Sequence, residues 1–231
     1  SELPKQALQR SNEELEAFAF MPSHDLQEPI RGIFTYTETL LEEHELGPEG
    51  ATLANNVLAL AERMSLLIRD LLHYAKLGDR ETLMTEIDSH KLVRELVDFI
   101  FTKHSGRIEI EGKLPPVYGY ETFVSEIFTN LLSNAVKYTG EDREIAVSSD
   151  VSSDPNKVVF RVKDNGIGIH PDHHGRIFNL FRRLHPPAKY GGGSGAGLTI
   201  VKRMLERHGC GIWLESSLGE GATFYFELPK A

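Results

Sequence analysis

In the first third of the chain apolar residues recur at helical spacing, and the helix breakers concentrate in one place, Gly47-Pro48-Glu49-Gly50. That single break limits the segment to two long helices joined by a tight turn, an antiparallel hairpin over residues 11 to 77. At about 100° per residue, Leu15, Phe18, Leu26, Ile30, Ile33 and Leu40 form one stripe, and Leu53, Val57, Leu60, Met64, Leu67 and Leu71 a second. Two stripes on two helices enclose too little apolar surface for a core. A second copy would complete a four-helix bundle, so the pattern predicts a homodimer. On the same wheel His24 lies about 180° from Leu15, on the solvent side, with Asp25 and Glu28 on the polar flanks. Pro29, further along the same helix, removes a backbone donor and predicts a kink. The stretch Ser23 to Pro29 is therefore a candidate site, an outward imidazole on a locally weakened helix.

From about residue 78 the pattern changes to alternating helices and short strands, so residues 1–77 and 78–231 are expected to be separate domains and the fold class α+β. Asp88 can cap a helix carrying Leu92, Val93, Leu96, Val97 and Ile100. Ile108-Glu109-Ile110 alternates like a strand, and residues 121 to 138 form a helix with Phe123, Ile127, Leu131 and Leu132 inside. Strands follow at 144 to 150 and 157 to 163, then a helix at 196 to 208. Strands at 211 to 215 and 222 to 228, joined by Gly219-Glu220-Gly221, close the chain as a hairpin. This order predicts a mixed sheet backed by helices on one face, with Trp213 and Phe224-Tyr225-Phe226 in the sheet core.

Composition removes several function classes. With 25 Lys plus Arg against 34 Asp plus Glu in 231 residues, the net charge of −9 leaves no basic footprint for nucleic acid. Apolar runs are far shorter than the roughly 20 residues a bilayer requires, so no direct membrane insertion is expected. Cys210 stands alone, which excludes a disulfide framework or multi-cysteine zinc site within one chain and suits a reducing cytoplasm. The opening SELPKQ is no secretory leader and reads as the start of an excised fragment. His170, His173 and His174 lack a spaced carboxylate or cysteine to complete a metal set and read as a surface cluster.

Three further clusters could carry chemistry. Asp164-Asn165-Gly166-Ile167-Gly168 follows a strand; its glycines allow a sharp turn and close approach, and its carboxylate can accept from an exocyclic amine. By itself, D-N-G is more often an ordinary turn. Gly191-Gly192-Gly193-Ser194-Gly195-Ala196-Gly197 runs straight into an amphipathic helix, giving free backbone donors and a positive dipole end suited to phosphate, although a flexible linker has the same composition. Asn130 and Asn134, four residues apart, share a helix face with Lys137 close by. Amide oxygens can ligate Mg²⁺ and the ammonium can neutralise phosphate, while a solvated helix face remains an equal reading. Neither G-x-G-x-x-G nor G-x-x-x-x-G-K-[ST] occurs, which disfavours dinucleotide and P-loop sites. H-R-D with a later D-F-G is absent too, which removes the serine/threonine and tyrosine kinases.

Taken together and in this order, the clusters resemble the catalytic core of bacterial sensor histidine kinases, in the phytochrome-like subgroup, from about Ser11 to Leu228. Ser23-His24-Asp25-Leu26-Gln27-Glu28-Pro29-Ile30-Arg31 is similar to the phosphoacceptor box, and Asn130 to Tyr138 to the N box. Asp164 to Gly168 resembles the first glycine box, Phe178-Asn179-Leu180-Phe181 the F box, and Gly193 to Leu198 the second glycine box. The resemblance implies a dimeric four-helix bundle followed by an α/β sandwich that binds ATP. It implies that Asp164 reads the adenine amino group, that Gly166 and Gly168 shape the base pocket, and that Asn134 with Asn130 holds Mg²⁺. Lys137 and Tyr138 would flank the nucleotide, and Gly193, Gly195 and Gly197, running into Leu198, would fold over the phosphates beneath a lid at residues 182–190. The implied reaction moves the γ-phosphoryl group of ATP to His24, with Asp25 as hydrogen-bond acceptor, and then to an aspartate of a response-regulator receiver domain. The resemblance also implies an upstream sensor domain, absent from this sequence. Glu28 stands where family members that also dephosphorylate their partner often carry Thr or Asn. A phosphatase-dominant core and a nucleotide-binding module without turnover stay open as alternatives.

Overall fold

The computed structural model describes residues 27–42, 44–76, 83–101, 107–140, 142–179 and 195–231. The chain divides into two compact units, a helical one and a mixed α/β one.

The helical unit contains α1 (residues 27–42) and α2 (Pro48–Lys76). Gly47 O accepts from Ala51 N at 2.9 Å, so Pro48-Glu49-Gly50 is the first turn of α2 and the break ends at Gly47, three residues earlier than its composition suggests. Proline is tolerated there because an N–H at the first helical position has no intrahelical acceptor to lose. Ile30, Ala61 and Ile68 are buried together, with Phe34 packed against them, so the beginning of α1 meets the later half of α2 as an antiparallel hairpin requires. The predicted stripes divide. Ile30 turns inward at 3% exposure, whereas Ile33, Leu40, Leu53, Val57, Leu60 and Met64 remain exposed, Leu53 by 62%. Small Ala61 lets the two helices approach, and the larger apolar residues face outward around that seam. Leu15, Phe18, Leu26, His24 and Asp25 lie outside the described residues.

The α/β unit begins with β1 (Thr85–Ile87) and α3 (Ser89–Phe101), where Asp88 Oδ1 accepts from Lys91 N at 3.0 Å as the predicted cap. After β2 (Arg107–Ile110), β3 (Val117–Gly119) pairs antiparallel with β1. That two-stranded sheet has no sequence signature, because three residues are too few for an alternation to register. Next come α4 (Glu121–Tyr138), β4 (Glu144–Val151), β5 (Lys157–Asp164), α5 (Gly197–Arg207), β6 (Ile212–Ser216) and β7 (Ala222–Pro229). The main sheet runs β2-β4-β5-β7-β6, with β2 and β4 parallel and the other pairs antiparallel, which is the mixed sheet predicted.

Helix α4 sets Phe128 edge-on against Phe160 of β5 and Phe226 of β7, at 5.4 and 5.2 Å between ring centroids. Helix α5 buries Ile200, Val201, Met204 and Leu205. Trp213 departs from its predicted place in the core. It is 41% exposed and stacks on Tyr225 at 5.7 Å on the open face of the sheet. The β6–β7 register pairs these two residues, and strand alternation sends Phe224 and Phe226 to the opposite, buried face. Among the described residues no helix is long and apolar enough to cross a membrane.

Candidate functional site

Strand β5 ends at Asp164, a residue only 6% exposed. Its Oδ1 accepts from Gly166 N at 2.8 Å and from Ala222 N at 3.2 Å. Burial raises the Asp164 pKa above the ordinary carboxylate value, and the two backbone bonds pull against that rise. A buried carboxylate that engages backbone through one oxygen keeps a directed acceptor for a ligand in the other.

The loop after Asp164 is fastened on both sides. Asn165 Oδ1 accepts from Glu144 N at 2.9 Å and its Nδ2 donates to Asp142 O at 2.7 Å, tying the loop to the start of β4. Ile167 N donates to Tyr138 O at 3.1 Å, joining it to the end of α4. Gly219 N donates to Ile167 O at 2.8 Å, and Ile169 N to Ser216 Oγ at 2.8 Å, joining it to the β6–β7 hairpin. Gly168 has φ +67° in this network, and a Cβ there would overlap the Ser217 carbonyl oxygen. The D-N-G sequence is thus a moulded loop, which the turn reading of the tripeptide alone does not capture.

The N box and the second glycine box also meet. Asn130 Nδ2 donates to Glu126 O at 2.9 Å, and a Cβ on Gly197 would lie 2.7 Å from Asn130 Oδ1. Only glycine lets the N-terminus of α5 come so close to this amide. Thr199 Oγ1 donates to Phe178 O at 2.9 Å, anchoring the first turn of α5 to the F-box segment. Asn134, Lys137 and Tyr138 follow on α4, all half-buried, with Lys137 Nζ 5.1 Å from the Tyr138 ring centroid. One helix therefore touches both glycine boxes, at Asn130 and at Tyr138, about 12 Å apart along its axis. Gly195 has φ +84°, and Leu198 is half-buried in the first turn of α5. Gly193, the segment 180–194 and the pair His24 and Asp25 fall outside the described residues.

Ser216 and Thr199 brace the site without any signal in the sequence, Asn165 stands in its motif with no role read from the sequence, and Gly221 shows there only as a hairpin glycine. Its φ is +82°, and a Cβ there would overlap the Asp164 carbonyl oxygen. Among the described residues no group of three or more His, Cys, Asp or Glu side chains is placed to hold a metal ion. The donors that the sequence analysis offers for a cation are the neutral amide oxygens of Asn130 and Asn134. A hard divalent ion of the Mg²⁺ type bound through phosphates fits that donor set, because it needs few protein ligands.

Residues 119–231 match the family described as histidine kinase-, DNA gyrase B- and HSP90-like ATPase, and residues 6–80 match the His Kinase A (phospho-acceptor) domain. The chain is 43% identical over 230 residues to cyanobacterial phytochrome B of Nostoc sp., with 96% of this chain aligned to 30% of that protein. It thus spans about a third of the length of that curated relative. The full-length structure of ShkA in complex with AMPPNP is similar at TM-score 0.67 and 27% identity, covering 93% of this chain and 46% of that one. The histidine kinase ThkA, in complex with the response regulator TrrA, shares the fold at TM-score 0.65 and 22% identity, covering 100% of this chain and 67% of that one.

Proposed function

From the premise that this chain belongs to the sensor histidine kinases, with a phosphoacceptor domain preceding their ATPase fold, we propose that it phosphorylates itself on His24 from Mg-ATP. The phosphoryl group then passes to an aspartate of a response-regulator receiver domain in the cytoplasm. The observation that carries this reading is the loop built around Asp164, a buried carboxylate engaged through one oxygen and braced from α4, β4 and the β6–β7 hairpin.

In this account residues 1–77 form the phosphoacceptor domain and residues 78–231 bind ATP. The Asp164 carboxylate accepts from the adenine amine, and Gly166 and Gly168 leave room for the base. Lys137 and Tyr138 flank the nucleotide. Gly193, Gly195 and Gly197 bring backbone N–H groups and the α5 dipole to the phosphates, with Leu198 closing that turn. The amide oxygens of Asn134 and Asn130 would hold Mg²⁺, which when bound neutralises the charge spreading over the transferred phosphoryl oxygens. One nitrogen of the neutral His24 imidazole attacks the γ-phosphorus while the bond to the ADP oxygen breaks, and Asp25 takes the proton released from the other nitrogen. The exposed apolar face of α1 and α2 supports pairing with a second copy, which would bury Leu53, Val57, Leu60 and Met64.

Incubating the chain with γ-labelled ATP and Mg²⁺ tests the reading. An acid-labile, base-stable label should form, vanish in His24→Ala, and move to an added receiver domain. ATP binding without label would leave a binding module, and dephosphorylation of a phosphorylated regulator without label would leave a phosphatase-dominant core. A second expectation concerns Gly197→Ala. The new methyl meets only the end of the Asn130 side chain, which can rotate away, so the melting temperature should stay within a few degrees of wild type. Displacing the Asn130 amide should still weaken Mg-nucleotide binding by about tenfold, measurable by calorimetry.

A further inference from the structure

His208, just beyond α5, is 8% exposed and bonded through both ring nitrogens. Nδ1 lies 2.7 Å from Met204 O, which can only accept, and Nε2 lies 3.1 Å from Tyr120 N, which can only donate. Both contacts are satisfied by one form alone, the neutral imidazole carrying its proton on Nδ1. Tyr120 directly precedes α4, so the ring joins the end of α5 to the start of α4. At the other end of α5, Gly197 sits against Asn130. Along α4 these two points are about 15 Å apart, enough to fix both the sliding and the crossing angle of the two helices.

We propose that His208, as the Nδ1-protonated neutral imidazole, is a positioning residue of the nucleotide site that holds α5 against α4 so that the second glycine box meets the Asn130 amide. The inference rests on the nucleotide reading above and adds a role that reading does not use. A proton on Nε2 would set N–H against N–H at Tyr120, opening the far end of the α4–α5 contact and loosening its near end. The surroundings oppose that proton. The Tyr120 and Phe123 rings stand edge-on at 5.1 and 6.2 Å, and a Cβ on Gly119 would lie 2.9 Å from Nε2. Arg207 lies over the same two rings, 5.8 Å from each centroid, and the Cys210 thiol donates to the His208 carbonyl at 3.4 Å. Burial first, and then the Arg207 charge, hold the His208 pKa below its usual value, against the opposing pull of the Met204 carbonyl. Because the folded pKa is depressed, the contribution to stability is full above about pH 6.5 and is lost as pH falls through the folded pKa.

The test is equilibrium binding of Mg-AMPPNP to the full chain at pH 8, for wild type, His208→Ala and His208→Gln, whose amide oxygen can still accept from Tyr120 N. His208→Ala, which leaves Tyr120 N without its acceptor, should bind about tenfold more weakly than wild type, ~1.4 kcal/mol, and His208→Gln should recover most of that loss. Equal affinity of His208→Ala and wild type, or no recovery in His208→Gln, would overturn the positioning role while leaving the nucleotide reading intact. No binding by wild type would overturn both. Nitrogen-15 NMR of the wild-type imidazole gives a readout that needs no variant: a proton on Nδ1 supports the proposal, and a proton on Nε2 at pH 8 overturns it.

Discussion

Asp164→Asn should abolish useful ATP binding while leaving the fold as stable as wild type or more so. The two effects separate because of how the carboxylate is engaged. Oδ1 accepts from Gly166 N and Ala222 N, so an asparagine must place its own oxygen there to keep those bonds. Its NH₂ group then occupies the position of the second oxygen and faces the adenine amine, donor against donor. Leaving a buried polar pair mismatched costs ~1–3 kcal/mol and the charge-assisted bond is lost as well, so affinity should fall by about 100-fold. Stability moves the other way because burial raises the Asp164 pKa. A carboxyl that binds its proton more tightly folded than unfolded makes stability fall as pH rises from about 3.8 through the folded pKa. The neutral amide has no such slope. Thermal melts should therefore show the variant equal to or above wild type at pH 7, with the difference shrinking toward pH 4, and calorimetry should show the loss of nucleotide. A variant that binds ATP normally would remove Asp164 from the site.

Gly168→Ala should be, with Gly221→Ala, among the most damaging added methyls in the described α/β unit. The backbone at φ +67° disfavours any side chain, and the added Cβ would overlap a carbonyl oxygen, that of Ser217, which cannot rotate aside. Relief requires separating the loop from the β6–β7 hairpin, at the expense of the Gly219–Ile167 and Ile169–Ser216 hydrogen bonds. Strain and lost bonds together amount to ~3–5 kcal/mol, enough to unfold a marginal domain. Gly219→Ala is the control. It has φ +81° and no heavy atom within 4 Å of a built Cβ, so it should cost only ~1–2 kcal/mol. Chemical denaturation of both variants tests the contrast; equal destabilisation would mean that backbone conformation, not crowding, decides at Gly168.

Long periodic elements were legible in the sequence. Residues 121–138 read as a helix and are α4, and strands 157–163 and 222–228 fall within one residue of β5 and β7. Their signals are strong because each buries one face along its whole length. What escaped depends on contacts that no local pattern encodes. Strands β1 and β3 are three residues each and exist through each other. Trp213 looked like core by residue type, but the side of the sheet it occupies follows from its pairing with Tyr225. The candidate site shows the same division. Asp164 and the glycines were readable as chemistry, whereas Asn165, Ser216 and Thr199 act only through partners 21 or more residues away or, for Ser216, across a hairpin. The outward stripe on α1 and α2 was found correctly as apolar, but Ala61 and Ile68, which pack the hairpin itself, were overlooked among larger neighbours.

On the proposed function, the nucleotide held at Asp164 supplies the phosphoryl group that His24 receives. The decisive measurement is peptide mapping by mass spectrometry under alkaline conditions, after incubation with Mg-ATP. Phosphate should be found on the His24 ring in the wild-type chain and not in Asp164→Asn. Phosphate on another residue, or on His24 at an undiminished level in the variant, would contradict it.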